Sequence, residues 1–230
     1  IVVPELGLRS LRGLDLLPQT RILEIGCGNG ELLQRLNLLG FQDLTGVDPY
    51  LPDPFPQKGP IRLCRTVDEV RGPFDLVMLH HSFEHVAEPK PLLQSLVPLL
   101  ADHGQLLLRL PLSSSKAFDQ YRAHWIQIDA PRHIFLHSEK SLKFLLESTG
   151  FRIFKSWRDS TDFQFWGSEQ SLKGIPLLHP DSVALRGLKS PFFSWRERIR
   201  FERMARELNV RGEGDQGVFL AKCTVMRDPP

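Results

Sequence analysis

Cysteine is scarce, with Cys27, Cys64 and Cys223 the only three in 230 residues, and no CxxC pair occurs. That spacing supports neither a disulfide scaffold nor a structural zinc site, and a reducing cytoplasm is the simplest compartment. Long apolar runs are also missing. Stretches such as 96–101 and 106–108 stop far short of the roughly 20 residues a membrane helix requires, so no span is expected. Charge of one sign is not in excess: 29 Lys plus Arg stand against 27 Asp plus Glu, a formal +2. No global field therefore recommends nucleic acid or an anionic membrane as a partner. No basic segment followed by an apolar one stands at the start, although the chain opens at Ile1, which leaves a preceding segment open. Internal repeats and low-complexity tracts are absent. What is present, 41% hydrophobic and 24% charged residues, is the balance of one globular domain with a substantial core.

Residues 21–25 are a short apolar strand candidate running into Gly26-Cys27-Gly28-Asn29-Gly30, and Leu32, Leu33, Leu36 and Leu39 follow at helical spacing. A second strand over 43–47 ends at Asp48-Pro49, which leaves an acidic side chain at its C-terminal edge. Pro52, Pro54, Pro56 and Pro60 forbid a regular helix across 50–60. Further strands are read at 61–65, 74–79, 104–110, 151–157 and 217–225, with helices over 90–100 and 138–150. The alternation implies a doubly wound, mostly parallel sheet with Rossmann-like order. The stretch 160–216, rich in breakers before a helix at about 192–208, reads as an insertion or lid between the last two strands of a single domain, 1–230.

The strand end and glycine turn carry the chemistry. Glycine lets the backbone adopt conformations closed to other residues and lets a ligand approach main-chain amides, while the helix start offers unpaired N–H groups. Asp48, at the end of the next strand, is positioned to accept hydrogen bonds from the two hydroxyls of a ribose. Together they point to a ligand containing a nucleoside. The order GxGxG, with Glu24 two residues before the first glycine, differs from the GxGxxG of dinucleotide loops.

Leu23-Glu24-Ile25-Gly26-Cys27-Gly28-Asn29-Gly30, with Phe74-Asp75-Leu76-Val77-Met78 and Glu84-His85-Val86, resembles the motifs of class I S-adenosylmethionine-dependent methyltransferases. The resemblance implies a seven-stranded sheet with an antiparallel last strand and S-adenosylmethionine as cofactor. Glu24 would help hold its amino-acid end, the Gly26–Gly30 backbone would pass beside it, and Asp48 with Pro49 would meet the ribose. Thr66 and Val67 stand where many members place an acid for the adenine amino group, so that hydrogen bond must be replaced or lost. His80 and His81 fall at the ligand-binding edge of the fourth strand. The Asn-Pro-Pro-Tyr signature of base methylation is replaced by His80-His81-Ser82-Phe83. Residues 125–133 and 159–169, and Leu208-Asn209 with Gly214-Asp215-Gln216, are similar to a subgroup often associated with bacterial surface-polysaccharide genes, which implies a small-molecule or saccharide acceptor.

Other side chains are weighed against plainer roles. His133 follows Asp129 by four residues, so the carboxylate would orient the imidazole as a general base, with His81 as a second candidate. Arg132 is suited to gripping a carboxylate or phosphate on the acceptor, and Tyr121, Trp125, Phe163 and Trp166 to walling its pocket, although such aromatics are more often core. His81-Ser82-Phe83-Glu84-His85 spells an inverted zinc-protease motif in the wrong context, a strand-to-loop junction, so no metal is expected, with a divalent ion on Glu84 and His85 left open behind a helix-cap and packing role for that pair. Arg196, Arg198, Arg200, Arg203, Arg206 and Arg211 alternate with Glu197, Glu202 and Glu207, which describes a solvated helix face and not an RNA site. Two alternatives stay open: a nicotinamide-dependent oxidoreductase, and a non-catalytic S-adenosylmethionine-binding protein.

Overall fold

The computed structural model describes residues 8–52 and 59–224. Its strands are β1 (Arg21–Ile25), β2 (Asp43–Val47), β3 (Ile61–Cys64), β4 (Phe74–His80), β5 (Leu100–Pro111), β6 (Phe151–Arg158) and β7 (Gln216–Cys223). The helices are α1 (Glu31–Leu38), α2 (Pro89–Leu96), α3 (Lys116–Tyr121), α4 (Glu139–Ser148), α5 (Phe163–Leu172), α6 (Val183–Arg186) and α7 (Trp195–Arg211). The expected lack of a helix over 50–60 rests largely on 53–58, outside the described residues.

The chain divides into two compact units: Ile1–Leu110 with Ser141–Ser156 and Val218–Pro230, and Pro111–Lys140 with Trp157–Gly217. The second thus gathers 111–140 together with the whole of the stretch 160–216 read as an insertion.

The first unit is built on a seven-stranded mixed sheet of order β3-β2-β1-β4-β5-β7-β6, with the last strands antiparallel. β1 pairs in parallel with both β2 and β4. Strand order therefore reverses between β1 and β4, and the C-terminal ends of two such strands diverge into the crevice where open α/β sheets take ligands. Ile22, Leu23, Met78 and Leu79 are fully buried, as befits parallel strands covered on both faces. Residues 32, 33 and 36 of α1 supply the buried leucine stripe that packs this helix on β2 and β3. Arg21 clamps β1 to β4 through a two-pronged ion pair with Asp75.

The second unit has its own core: Ala117, Tyr121, Trp125, Phe165, Trp166, Val183, Phe193, Phe201 and Ala205. α7 turns Phe201 and Ala205 inward, while Arg203 pairs with Glu207 and Arg206 with Glu202 along the exposed face, as the charge alternation predicts. The helix opens on a capping box, in which the Ser194 hydroxyl accepts from the Glu197 amide and the Glu197 carboxylate accepts from the Ser194 amide. Ser194→Ala is expected to destabilise the protein by about 1 kcal/mol in chemical denaturation.

Candidate functional site

In the first unit, the site begins where β1 leaves the sheet. Gly26, Gly28 and Gly30 have φ of 76°, 53° and 72°, the left-handed region that glycine alone enters freely. The Gly26 and Cys27 amides both donate to the Val47 carbonyl, which ties the turn to the end of β2. Ser82 donates its hydroxyl to the Ile25 carbonyl at 2.7 Å, and a Cβ on Gly26 would lie 2.3 Å from the Ser82 Cβ. Gly26→Ala thus meets both a backbone penalty and a clash, and should lower stability by about 2 kcal/mol or more, visible as a reduced Tm. Gly28, by contrast, is exposed and has nothing within 4 Å of where a Cβ would stand, so its backbone is open to a ligand.

Asp48 governs the turn from the other side. Its Oδ2 accepts from the Gly28 amide and its Oδ1 from the Tyr50 amide, both at 2.8 Å. Each carboxylate oxygen keeps a further lone pair with which to accept a hydroxyl. Cys27 is buried, and burial pushes its thiol up, so it packs and does not react. Asn29 is exposed and offers its carbonyl to the Gln34 amide. Pro49 is exposed beside Asp48, followed by Tyr50.

Beneath the turn, Glu24 is buried, and its Oε2 has no hydrogen-bond partner. Burial, with the Asp48 charge second, raises its carboxyl to about 8. His80 at the end of β4 is equally buried and meets the Ser10 hydroxyl through Nε2 at 2.6 Å. A buried acidic group with an open acceptor, a sterically open backbone at Gly28 and a carboxylate with spare lone pairs at the end of β2 are groups that a nucleoside bearing an ammonium can use, so the residues fit S-adenosylmethionine. At the third strand, Thr66 caps a short turn and donates its hydroxyl to Glu69, with Val67 following half-buried.

His81 sits at φ 51° with both ring nitrogens engaged: Nδ1 lies 3.2 Å from Glu84 Oε1, and Nε2 meets the Arg109 guanidinium. Arginine can only donate, so Nε2 must accept and Nδ1 carries the proton toward Glu84. This locks a neutral tautomer, an arrangement that positions the β4 edge and leaves no ring nitrogen for an acceptor proton. Arg109 and Ser10 were not singled out from the sequence. The signal for Arg109 was there, a lone charge inside the apolar strand segment Leu106–Leu110; Ser10 gave none.

In the second unit, Asp129, Arg132 and His133 come together. Arg132 binds the Asp129 carboxylate at 2.5 Å, so the carboxylate does not orient the histidine as expected. The Gln127 carbonyl does so instead, accepting from His133 Nδ1 at 2.6 Å, while Nε2 lies 3.9 Å from Asp129 Oδ2, beyond hydrogen bonding. The tautomer this fixes has its lone pair on Nε2. Of the aromatics expected to wall a pocket, Tyr121, Trp125 and Trp166 are buried in the core and Phe163 is half-buried against it. The Trp125 indole donates to Asp215 and the Tyr121 hydroxyl to Glu169, each the partner a buried polar tip needs.

Comparison with known proteins bears on the family and the fold. A curated relative, the ubiquinone biosynthesis O-methyltransferase of Bradyrhizobium diazoefficiens, is 27% identical over 157 residues, 61% of this chain and 62% of its own length. One of the same description from Nitrobacter winogradskyi is 32% identical over 108 residues, 43% of this chain and 41% of its own length. The chain thus spans less than two thirds of either relative. Among solved structures, a SAM-dependent methyltransferase from Thermotoga maritima superposes with a TM-score of 0.59 at 16% identity, over 95% of this chain and 88% of that one, a likeness of fold. The model of the methyltransferase domain family matches residues 6–156, more than half of the chain, and the chain belongs to that family.

Proposed function

We propose that the protein transfers the methyl group of S-adenosylmethionine to a hydroxyl of a small molecule. The observation that carries this reading is the juxtaposition of the buried Glu24, the open glycine turn and Asp48 at the strand-order reversal. Glu24 would face the cofactor's ammonium, the amides around Gly28 its main chain side, Asp48 and Pro49 its ribose, and Thr66 and Val67 the adenine edge. When bound, the cofactor supplies a methyl carbon made electrophilic by its positive sulfur. The chain's task is to align the acceptor, exclude water and take up a proton, and alignment alone can contribute on the order of 7 kcal/mol.

A hydroxyl acceptor must lose its proton, and we assign that to His133 Nε2, with Asp129 near enough to favour the imidazolium and Arg132, paired with Asp129, as the residue that would meet an anionic group on the acceptor. His81 serves instead to hold the β4 edge through Glu84 and Arg109. The relatives' description as O-methyltransferases supports oxygen as the methylated atom and an acceptor of ubiquinone biosynthesis; the resemblance of 125–133 and 159–169 supports a saccharide. Phenols and saccharides are therefore both to be offered, and release of S-adenosylhomocysteine measured. Release with one class identifies the acceptor. Binding of the cofactor without release across the panel would favour a non-catalytic binding protein, and calorimetric binding of NAD in its place would favour an oxidoreductase.

A further inference from the structure

Glu24 and His80 stand on β1 and β4, the two strands that flank the reversal of strand order. Each is 4% exposed, and Glu24 Oε1 lies 3.8 Å from His80 Nδ1. Neither Glu24 Oε2 nor His80 Nδ1 has a hydrogen-bond partner among the described residues. Ser10 holds Nε2, so Nδ1 is the nitrogen left to the carboxyl group. No lysine or arginine among the described residues forms an ion pair with Glu24. A carboxylate sealed from water without a cation is strongly disfavoured, so the pair keeps one proton, on carboxyl or imidazole, and is net neutral.

The surroundings decide where that proton sits. Burial, and after it the like charge of Asp48 at the end of β2, raises Glu24 to about 8; burial, then Arg109 of β5 and His81, lowers His80 to about 3. Cys27 in the glycine turn, the remaining titratable neighbour of Glu24, is held as the neutral thiol by burial. The proton belongs to the carboxyl group.

We propose that Glu24 and His80 make cofactor loading proton-coupled: the arriving cation displaces the one proton the pair holds, which leaves to solvent, and Glu24 becomes the carboxylate that faces the ligand. Ser10 and His80 are positioning residues in this scheme, since the hydroxyl fixes the ring that keeps Glu24 without a cation of its own. The inference rests on the cofactor reading above. Its sign follows from linkage: the free site is protonated below about pH 8, the loaded site is not, so affinity rises with pH by about tenfold per unit and levels off above that value. The cofactor's own α-amino group titrates at about 7.7–8.0, so the useful window is about pH 6 to 7.5.

The test is titration calorimetry of the full chain with S-adenosylmethionine at pH 6.5 in buffers of different ionisation enthalpy, which counts protons released. We expect about one proton per cofactor bound, and none from Glu24→Gln, whose affinity should be flat with pH. Infrared difference spectra of the wild-type protein should show loss of a protonated carboxyl stretch on cofactor addition, a readout that needs no variant. Binding without proton release overturns the proposal, as does equal release from wild type and Glu24→Gln. No binding by the wild-type protein at any pH overturns the cofactor reading itself and this inference with it.

Discussion

Replacing His133 by alanine is expected to lower kcat by about 10²-fold or more while leaving S-adenosylmethionine affinity within about twofold. The reason lies in what holds the ring. The Gln127 carbonyl takes the proton on Nδ1, which leaves Nε2 as an acceptor, and the side chain is 7% exposed, so it is held in one orientation. In the proposed role, a ring oriented in this way would take the substrate proton on Nε2, and the imidazolium so formed would lie 3.9 Å from the Asp129 carboxylate. Asp129→Asn should therefore cost less than His133→Ala, because it removes a charge that stabilises the imidazolium and leaves the tautomer intact. Steady-state kinetics with the acceptor found above, beside calorimetric titration of the cofactor, separates the two quantities. A fall in affinity equal to the fall in kcat would place His133 in binding and end its assignment as base.

The second large effect belongs to Asp48. Its two oxygens each accept a backbone amide, from Gly28 and from Tyr50, so the carboxylate shapes the turn and keeps the lone pairs that, in the proposed function, would accept the ribose hydroxyls. Hydrogen bonds to a charged group are worth about 1.5–3 kcal/mol each. Asp48→Ala should weaken S-adenosylmethionine binding by about 3 kcal/mol, roughly 150-fold, with kcat at saturation changed far less. Asp48→Asn retains one acceptor oxygen and should fall between. Thermal unfolding of both variants guards against a collapsed turn: a variant that keeps its Tm and its cofactor affinity would show that the ribose is not held here. Equal loss of cofactor binding in Asp48→Ala and His133→Ala would refute the division of labour between the two residues.

The regular parts of the first unit were legible because each signal was local. β1 and β2 carry short apolar runs closed by glycine or by Asp-Pro, and α1 repeats leucine at helical spacing, so their limits fall where punctuation and period place them. The second unit was harder to read. α5 is buried at Gln164, Phe165, Trp166, Gly167, Ser168 and Gln170, nearly all the way round, so it shows no polar face and no clean helical period. α3 is a short helix of six residues, too brief for a stripe, and its start is fixed by the Ser115 hydroxyl accepting from the Phe118 amide. The aromatics near it looked like pocket walls because an aromatic residue has the same composition signal in a core as in a lid.

The candidate site divides in the same way. The glycine turn and Asp48 stood out by residue type and spacing along two adjacent strand ends, while a role for Glu24 came only with the resemblance to the methyltransferase motifs. Ser10 and Arg109 did not stand out, since a serine in a turn and an arginine in a strand acquire meaning only through the histidines they meet across the fold. Tautomers followed the same rule: Gln127 offers its backbone carbonyl, and a backbone group carries no sequence signature at all. By itself, then, the sequence determined the sheet, the glycine turn and the acidic residues beside it, because periodicity and backbone freedom act over a few neighbours. Only the tertiary structure decided how each histidine ring is oriented, which carboxyl is sealed from water and which aromatics are core, because those depend on backbone carbonyls that carry no sequence signature and on partners far along the chain, as with Ser10 and His80, 70 positions apart.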